Sequence, residues 1–339
     1  MKIGIAGFKY SGKTSLFKLL TGINVSFEKA EVNKGVTKVP DKRINELSTI
    51  FEPKKTTFAA LELVDIPGID PGNPNNRKFF EDIRKMEMLM VVLRDFDSDM
   101  YPNPMETNDF ERDFEAFKDE LLLQDMGVIE KRLMSLKKQL KKVKTKEVIE
   151  EIAALEKANE SLEKSVFLRE IDFTEGEENI IKTYGFFTRK IILPVINTGE
   201  DKASAEMKYA SFSVGAEMEI AELPEEEREE FYKDLGISEP ATNKVIRSVY
   251  ENAGLISFFT VGKDEVRAWT ITKGLNAKKS SGKIHSDLEK GFIRAETCAY
   301  NDFIEFKDMA KAKADNKVRL EGKEYIVKDG DILNIRFNV

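Results

Sequence analysis

Near-continuous apolar runs alternate with amphipathic stretches over much of this chain. "KIGIAG" near the N-terminus ends in glycine, and "TFAALELVDIPG", "MLMVVLRDF" and "RKIILPVINTGE" repeat its texture further on. Runs that are apolar on both faces suit parallel strands covered on either side by helices. After the first run, "KTSLFKLLTG" places Leu16, Leu19 and Leu20 on one side of a helix and stops at Gly22. The pattern predicts a doubly wound α/β domain.

The middle has another texture. From about Asp109 to Leu168 the chain is charged and contains no proline. Ile129, Leu133, Leu136, Leu140 and Val143 are spaced by four and three, and Val148, Ile152, Leu155 and Leu162 resume the pattern after "KTKE". This predicts two helices folded back as a hairpin along an apolar seam, inserted into the first domain. "ATNKVIRSVYENAGL" predicts one more helix. From about Ile256 short β-type runs follow, "ISFFTVG", "EVRAWTI" and "KEYIVKDGDILNIRFNV", which predict a small α+β domain. The final "VKDGDILNIRF" predicts a hairpin turning at "DG".

Composition narrows the chemistry. The 339 residues include one cysteine, Cys298, and one histidine, His285. An internal disulfide is excluded, and Ser-His or Cys-His catalysis would require His285. No apolar run reaches the roughly 18 residues that span a bilayer, so no membrane partner and a cytoplasmic location are expected. The net charge of -7 argues against general polyanion binding. Lys131 to Lys146 nonetheless hold eight Lys or Arg and no acidic residue. Such a run is commonly a solvated face, but in an acidic protein it also marks a surface for RNA phosphates.

The strongest motif is "GFKYSGKTS". Gly7, Gly12, Lys13 and Thr14 have the phosphate-loop spacing G-x-x-x-x-G-K-T between a predicted strand and a predicted helix. Lys13 is assigned to the β- and γ-phosphates, the Thr14 hydroxyl to Mg²⁺, and the helix N-terminus to the phosphate charge. "LVDIPG" places Asp65 at the end of the next strand and Gly68 three residues on, the D-x-x-G arrangement that holds Mg²⁺ and faces the γ-phosphate. "VINTGE" offers Asn197 and Glu200 where a guanine site would have N-K-x-D, and Thr198 where its lysine would lie flat against the base. This argues for ATP, with GTP as the weaker alternative.

The expected nucleotide-binding set is Gly7, Phe8, Lys9, Tyr10, Ser11, Gly12, Lys13, Thr14, Ser15, Gly68, Asn197, Thr198, Glu200, Ser213, Val214 and Gly215. Lys13 is the expected catalytic group, with Thr14 and Asp65 as the metal ligands and Mg²⁺ as the cofactor. Ras-like proteins orient water with a glutamine just after D-x-x-G; here that position is Ile69, so slow hydrolysis is expected.

With "VPDKRINELSTIFEPKKTTFAALELVDIPG", "FFTVGKDEVRAWTITKG", "SGKIHSDLEKGFIRAE" and "YIVKDGDILNIRFNV", the chain resembles the YchF/Obg-like ATPase family over essentially its whole length. The resemblance implies a Ras-like P-loop domain from 1-108 and 169-255, an inserted helical hairpin at 109-168, and a C-terminal β-grasp TGS domain at 256-339. It also implies ATP preference through N-x-x-E and association with ribosomes, here through the basic hairpin and the TGS surface. A monomer or weak oligomer is expected. Four departures fall around the γ-phosphate, one being that "FDSDMYPNP", after the third strand, lacks the family's usual histidine. Tyr10 stands at the family's asparagine. "KAEVN", Lys29 to Asn33, replaces its first switch, leaving Thr37 as a weak substitute threonine. The stretch after D-x-x-G is shortened to "IDPGNPNNRKFF". The alternative to a regulated ATPase is a nucleotide-sensing or RNA-binding module without turnover. His285 and Trp269 are expected to be structural, and Cys298 buried or half-buried.

Overall fold

The computed structural model describes residues 1–25, 32–73, 76–202, 207–234, 237 and 239–338, with no account of the Glu225 side chain. The replaced switch stretch therefore lies largely outside the described residues. Among these residues the strands are β1 (Lys2–Ala6), β2 (Asn33–Lys38), β3 (Lys55–Thr57), β4 (Ala60–Asp65), β5 (Met88–Asp95), β6 (Ile191–Thr198), β7 (Ala210–Phe212), β8 (Leu255–Thr260), β9 (Glu265–Thr272), β10 (Phe292–Ala299), β11 (Arg319–Glu321) and β12 (Asp331–Phe337). They form two six-stranded sheets, ordered β2-β4-β1-β5-β6-β7 and β11-β10-β12-β8-β9-β3. The four predicted apolar runs became β1, β4, β5 and β6. Their pairings are parallel, with Ile5 opposite Asp65 and Asp95 opposite Thr198. Ile3, Ile5, Leu63, Met90 and Val195 are fully buried, as strands covered on both faces require.

The chain divides into two compact units, Met1–Gly35 with Glu62–Thr242, and Val36–Leu61 with Asn243–Val339. This differs from the expected boundaries. Residues 36–61, expected in the nucleotide domain, belong with the C-terminal unit because β3 pairs in parallel with β9, from Lys55 opposite Glu265 to Thr57 opposite Arg267. The helix Lys42–Phe51 adds to that unit, with Ile44 and Leu47 fully buried and Phe51 stacked on Phe303 at 5.3 Å.

In the first unit, the inserted hairpin pairs the helix Phe110–Leu140 with Lys146–Glu163. Its seam buries Ile129, Leu133, Leu136, Val148, Leu155 and Leu162, with Leu140 and Ile152 partly buried. Val143, expected in the seam, is exposed because the first helix has already ended. Thr145 starts the second helix by accepting from the Val148 N–H, which satisfies one of its orphan donors. The long helix is tied to the turn Phe187–Arg189 by Asp125. Its carboxylate accepts from the N–H of Phe187 at 3.0 Å and from the N–H and hydroxyl of Thr188, each at 2.8 Å.

The second unit is a β-grasp. β8 and β9 form an antiparallel hairpin, β12 runs parallel to β8 and antiparallel to β10, and the helix Ala277–Ile284 belongs to the same body. The predicted hairpin across Asp329-Gly330 does not form. Gly330 does turn the chain, at φ 86°, but the turn is stitched to β8: its N–H donates to the Ser257 carbonyl and the Asp329 carboxylate accepts from the Ser257 N–H. β12 then pairs with β10 and β8, and "YIVK" forms no strand with it. Cys298 is fully buried, Trp269 donates to the Thr260 hydroxyl, and His285 caps a short helix by accepting from the Asp287 N–H.

Candidate functional site

Five parallel strands of the first sheet, β4, β1, β5, β6 and β7, end side by side, and the chain leaving each one contributes to a cavity of about 1190 Å³. This is the position at which doubly wound sheets bind ligands. After β1 the chain turns through Gly7 and Gly12 into the helix Lys13–Thr21. Gly12 has φ 92°, and a Cβ there would lie 2.3 Å from the Asn197 side-chain nitrogen, so this position requires glycine. The helix has no side-chain cap at its start. Its orphan N–H groups and positive end face an anion site.

Lys13 is 6% exposed and donates to the Phe8 carbonyl at 2.5 Å. Burial pulls its pKa down to about 8; the Asp65 carboxylate opposes that shift and the Lys9 cation adds to it. Asp65 closes β4. One of its oxygens accepts from the Thr14 hydroxyl at 2.9 Å and from Asn33 at 3.5 Å, while the other, Oδ1, is buried with no hydrogen-bond partner. Burial pushes the Asp65 pKa up. A hydroxyl and a carboxylate in contact, with an orphaned buried oxygen, fit a hard divalent cation. Among the described residues no group of three or more His, Cys, Asp or Glu could hold a metal ion. The remaining ligands would then have to be water and phosphate oxygens.

Asn197 joins the third motif to the first. Its amide donates to the Ser11 carbonyl at 3.1 Å and its carbonyl accepts from the Val214 N–H at 3.1 Å. The residue thus braces the phosphate loop against the loop after β7 with both ends of its side chain. Thr198 donates to the Phe212 carbonyl, and the Glu200 carboxylate stands against Gly215. Of the expected set, Lys9, Tyr10, Gly12, Lys13, Thr14, Ser15, Gly68, Asn197, Thr198, Glu200, Ser213, Val214 and Gly215 line the cavity together with Asp65. Gly7, Phe8 and Ser11 are not among the lining residues. Phe8 packs edge-on against Phe117 in the core, and Gly7 and Ser11 are buried within the loop. Ile69 is fully buried in the same core and its backbone bridges to Phe8. Thr37, the substitute switch threonine, is buried within β2 and does not line the cavity.

Sequence reasoning missed one wall. Asp95, Phe96, Asp97, Ser98, Tyr101, Asn108 and Lys202 also line the cavity. Lys202 pairs with Asp95 at 2.9 Å, and Arg94 lies over the Phe96 ring while donating to the Phe96 and Tyr10 carbonyls. Tyr10, at φ 60°, meets Tyr101 ring to ring at 5.9 Å. The strand-end rule that located Asp65 points equally to Asp95; the loop beyond it carries no recognisable motif.

Comparison with known proteins agrees with this geometry. Residues 2–157 match a family model described as 50S ribosome-binding GTPase, and residues 255–338 match the model YchF-GTPase_C, described as a protein of unknown function (DUF933). The chain is 38% identical to the "Ribosome-binding ATPase YchF" of Bacillus subtilis over 99% of both chains. It is 37% identical to that of Escherichia coli O157:H7 over 100% of this chain and 99% of the other. The structure of the Schizosaccharomyces pombe YchF GTPase superposes with a TM-score of 0.86 at 29% identity, covering 99% of this chain and 97% of that one. The chain therefore belongs to the YchF family.

Proposed function

We propose that this protein is a Mg²⁺-dependent ATPase with a slow intrinsic rate, acting in the cytoplasm as a nucleotide-regulated factor on the ribosome. The observation that carries the reading is one shared cavity, in which the Lys13, Thr14, Asp65 and Gly68 group meets the Asn197–Glu200 strand end and the Ser213–Gly215 loop. Lys13 and the uncapped helix start would hold the phosphates, and Thr14 and Asp65 would hold the cation, which neutralises charge on the β- and γ-oxygens when bound. Asn197 spends its side chain on the two loops, leaving the Glu200 carboxylate as an acceptor for the N6 amino group of adenine. No lysine stands at the Thr198 position to lie against a guanine. A slow rate follows from Ile69: where Ras-like proteins carry a water-orienting glutamine, this side chain is apolar and buried away from the cavity.

Calorimetric titration with ATP and with GTP, each with Mg²⁺, followed by phosphate release in the same samples, tests this. Tighter binding of ATP and slow, Mg²⁺-dependent release are expected. Binding without release would establish the alternative, a nucleotide sensor. If neither nucleotide bound, the proposal would fail.

The state of Lys13 gives a separate check. With its pKa held near 8, it is largely neutral at about pH 9, and bound phosphate would return its charge. Nucleotide binding should then take up protons at about pH 9 and none at about pH 6. Calorimetry in buffers of different ionisation enthalpy measures the uptake. Binding with no uptake at the higher pH would contradict the assignment of Lys13.

Ribosome association rests on the names of the relatives and on the hairpin tip. Arg132, Lys137 and Lys146 pair with Glu151, Glu156 and Glu150. Lys138, Lys141, Lys142 and Lys144 are exposed and, among the described residues, have no acidic partner within 4.0 Å. In the β-grasp unit, Lys313 and Lys317 are paired with Glu296 and Asp302, while Lys278, Lys279 and Lys283 are exposed and would add to the same surface. Replacing Lys138, Lys141 and Lys142 by glutamate should weaken cosedimentation with ribosomes by about tenfold or more, and wild-type binding should fall steeply with salt. Salt-independent binding would point to protein contacts instead.

A further inference from the structure

Two ammonium groups reach the cavity from the phosphate loop. Lys13 is buried and fixed on the Phe8 carbonyl. Lys9 is about half exposed and held by a carboxylate, its Nζ lying 2.6 Å from Asp70 Oδ2. Asp70 is the second residue after the D-x-x-G turn and is itself braced. Its N–H donates to the Asn76 side-chain oxygen at 3.4 Å, its carbonyl accepts from the Asn76 amide at 2.8 Å, and its Oδ2 accepts from Asn73 at 3.4 Å. The backbones of the two segments are also joined. The Lys9 N–H donates to the Ile69 carbonyl at 3.1 Å, and the Ile69 N–H to the Gly7 carbonyl at 3.2 Å.

Gly68 is packed into this junction. A Cβ on it would lie 2.6 Å from Lys13 Nζ and 2.9 Å from both N and Cα of Lys9. Lys9 therefore stands on the Gly68 side of the cavity, whereas Asn197 meets the loop at Ser11 and Gly12. The Gly68 side is where a terminal phosphate would lie, because the phosphate-loop lysine and the D-x-x-G glycine both address that group.

We propose that Lys9 reads the terminal phosphate: Asp70 holds its ammonium when that phosphate is missing, and a nucleoside triphosphate draws it away. The inference rests on the nucleotide-binding reading and deepens it. An exposed lysine–aspartate pair is weak, so the exchange costs little. A terminal phosphate offers more negative charge and more acceptor oxygens than one carboxylate. A diphosphate leaves the pair intact. Exchange would release Asp70 from Lys9 and cut a side-chain link between the phosphate loop and the segment after Gly68, giving that segment a different restraint in each nucleotide state. Lys9 and Lys13 both line the cavity and both close on Gly68.

The test uses the full chain and calorimetry with Mg²⁺, comparing a non-hydrolysable triphosphate analogue with the diphosphate, for adenine and guanine. Lys9→Ala should weaken the triphosphate analogue by about tenfold and the diphosphate by less than about twofold. Lys9→Arg should restore the preference. Asp70→Asn should tighten the analogue a few-fold, roughly the strength of an exposed ion pair, and leave the diphosphate unchanged. Lys9 is exposed, so melting curves of the variants should match wild type. If Lys9 merely braced the loop, Lys9→Ala and Asp70→Asn would change affinity in the same direction; that result, or an unchanged triphosphate-to-diphosphate ratio while wild type binds both, overturns the proposal alone. If wild type binds neither nucleotide, the underlying functional reading falls first and this inference falls with it.

Discussion

Replacing Lys13 by alanine is expected to cut ATP turnover by about 100-fold or more, the scale of losing a preorganised charge at the reacting group. The effect is large because the protein has few other resources at that point. Ile69 offers no hydrogen bond to water and is buried in the core. The loss should come without a loss of stability. A lysine whose folded pKa is lowered takes fewer protons folded than unfolded, so its buried charge costs stability below about pH 8, and the cost fades as pH rises toward the ordinary lysine value. At neutral pH the nucleotide-free Lys13→Ala protein should melt no lower than wild type, apart from the lost contact to the Phe8 carbonyl. Single-turnover phosphate release alongside a thermal melt checks both halves. Equal turnover in the two proteins would remove Lys13 from the chemistry, and a collapse in melting temperature would make its role structural.

The second large effect is on the fold. Asp125→Ala is expected to destabilise the protein by about 2–4 kcal/mol, because two buried N–H groups lose their acceptor and each costs about 1–3 kcal/mol. The Thr188 hydroxyl can rotate elsewhere, and losing a buried charge returns part of the penalty; burial pushes the Asp125 pKa up despite its three donors. Asp125→Asn keeps one acceptor oxygen and should fall between wild type and alanine. Urea unfolding measures the series. A change below about 0.5 kcal/mol, the size of an ordinary surface substitution, would mean that water replaces the carboxylate. The turn that Asp125 holds leads into β6, which carries Asn197 at its far end, so the phosphate loop should also bind less tightly in the alanine variant.

Sequence patterning revealed the parts of this molecule whose physics is local. The buried strands β1, β4, β5 and β6 are apolar on both faces, the hairpin seam repeats every three or four residues, and the phosphate loop has a fixed spacing. Lys13, Thr14, Asp65, Gly68 and Asn197 were legible because each sits at the end of such an element. What patterning did not reveal depends on distant partners. β3 is three residues of "KTT", polar enough to pass for a loop, and is a strand only because β9 offers it an edge. The turn at Asp329-Gly330 carries a hairpin signal, but Ser257 and Arg43 determine what the turn joins. Asp95, Phe96 and Tyr101 enter the cavity through a loop held by Arg94, a buried cation in an otherwise apolar strand. Asn197 had a motif, but its bracing of two loops became visible only in three dimensions.

The segment Val36–Leu61 has a consequence for how the chain is made. It is synthesised well before its partner: the strand to which it is hydrogen-bonded lies 208 residues further along, from Thr57 to Glu265. Until that partner is synthesised, Phe51 lacks the Phe303 ring it stacks on and β3 lacks the β9 edge. Closing so long a loop is slow, and apolar surface left waiting is prone to wrong association. The β-grasp unit thus cannot be completed vectorially: the piece at 36–61 must wait for residues 243–339, and a nascent chain halted before β9 would present an amphipathic helix in search of a partner.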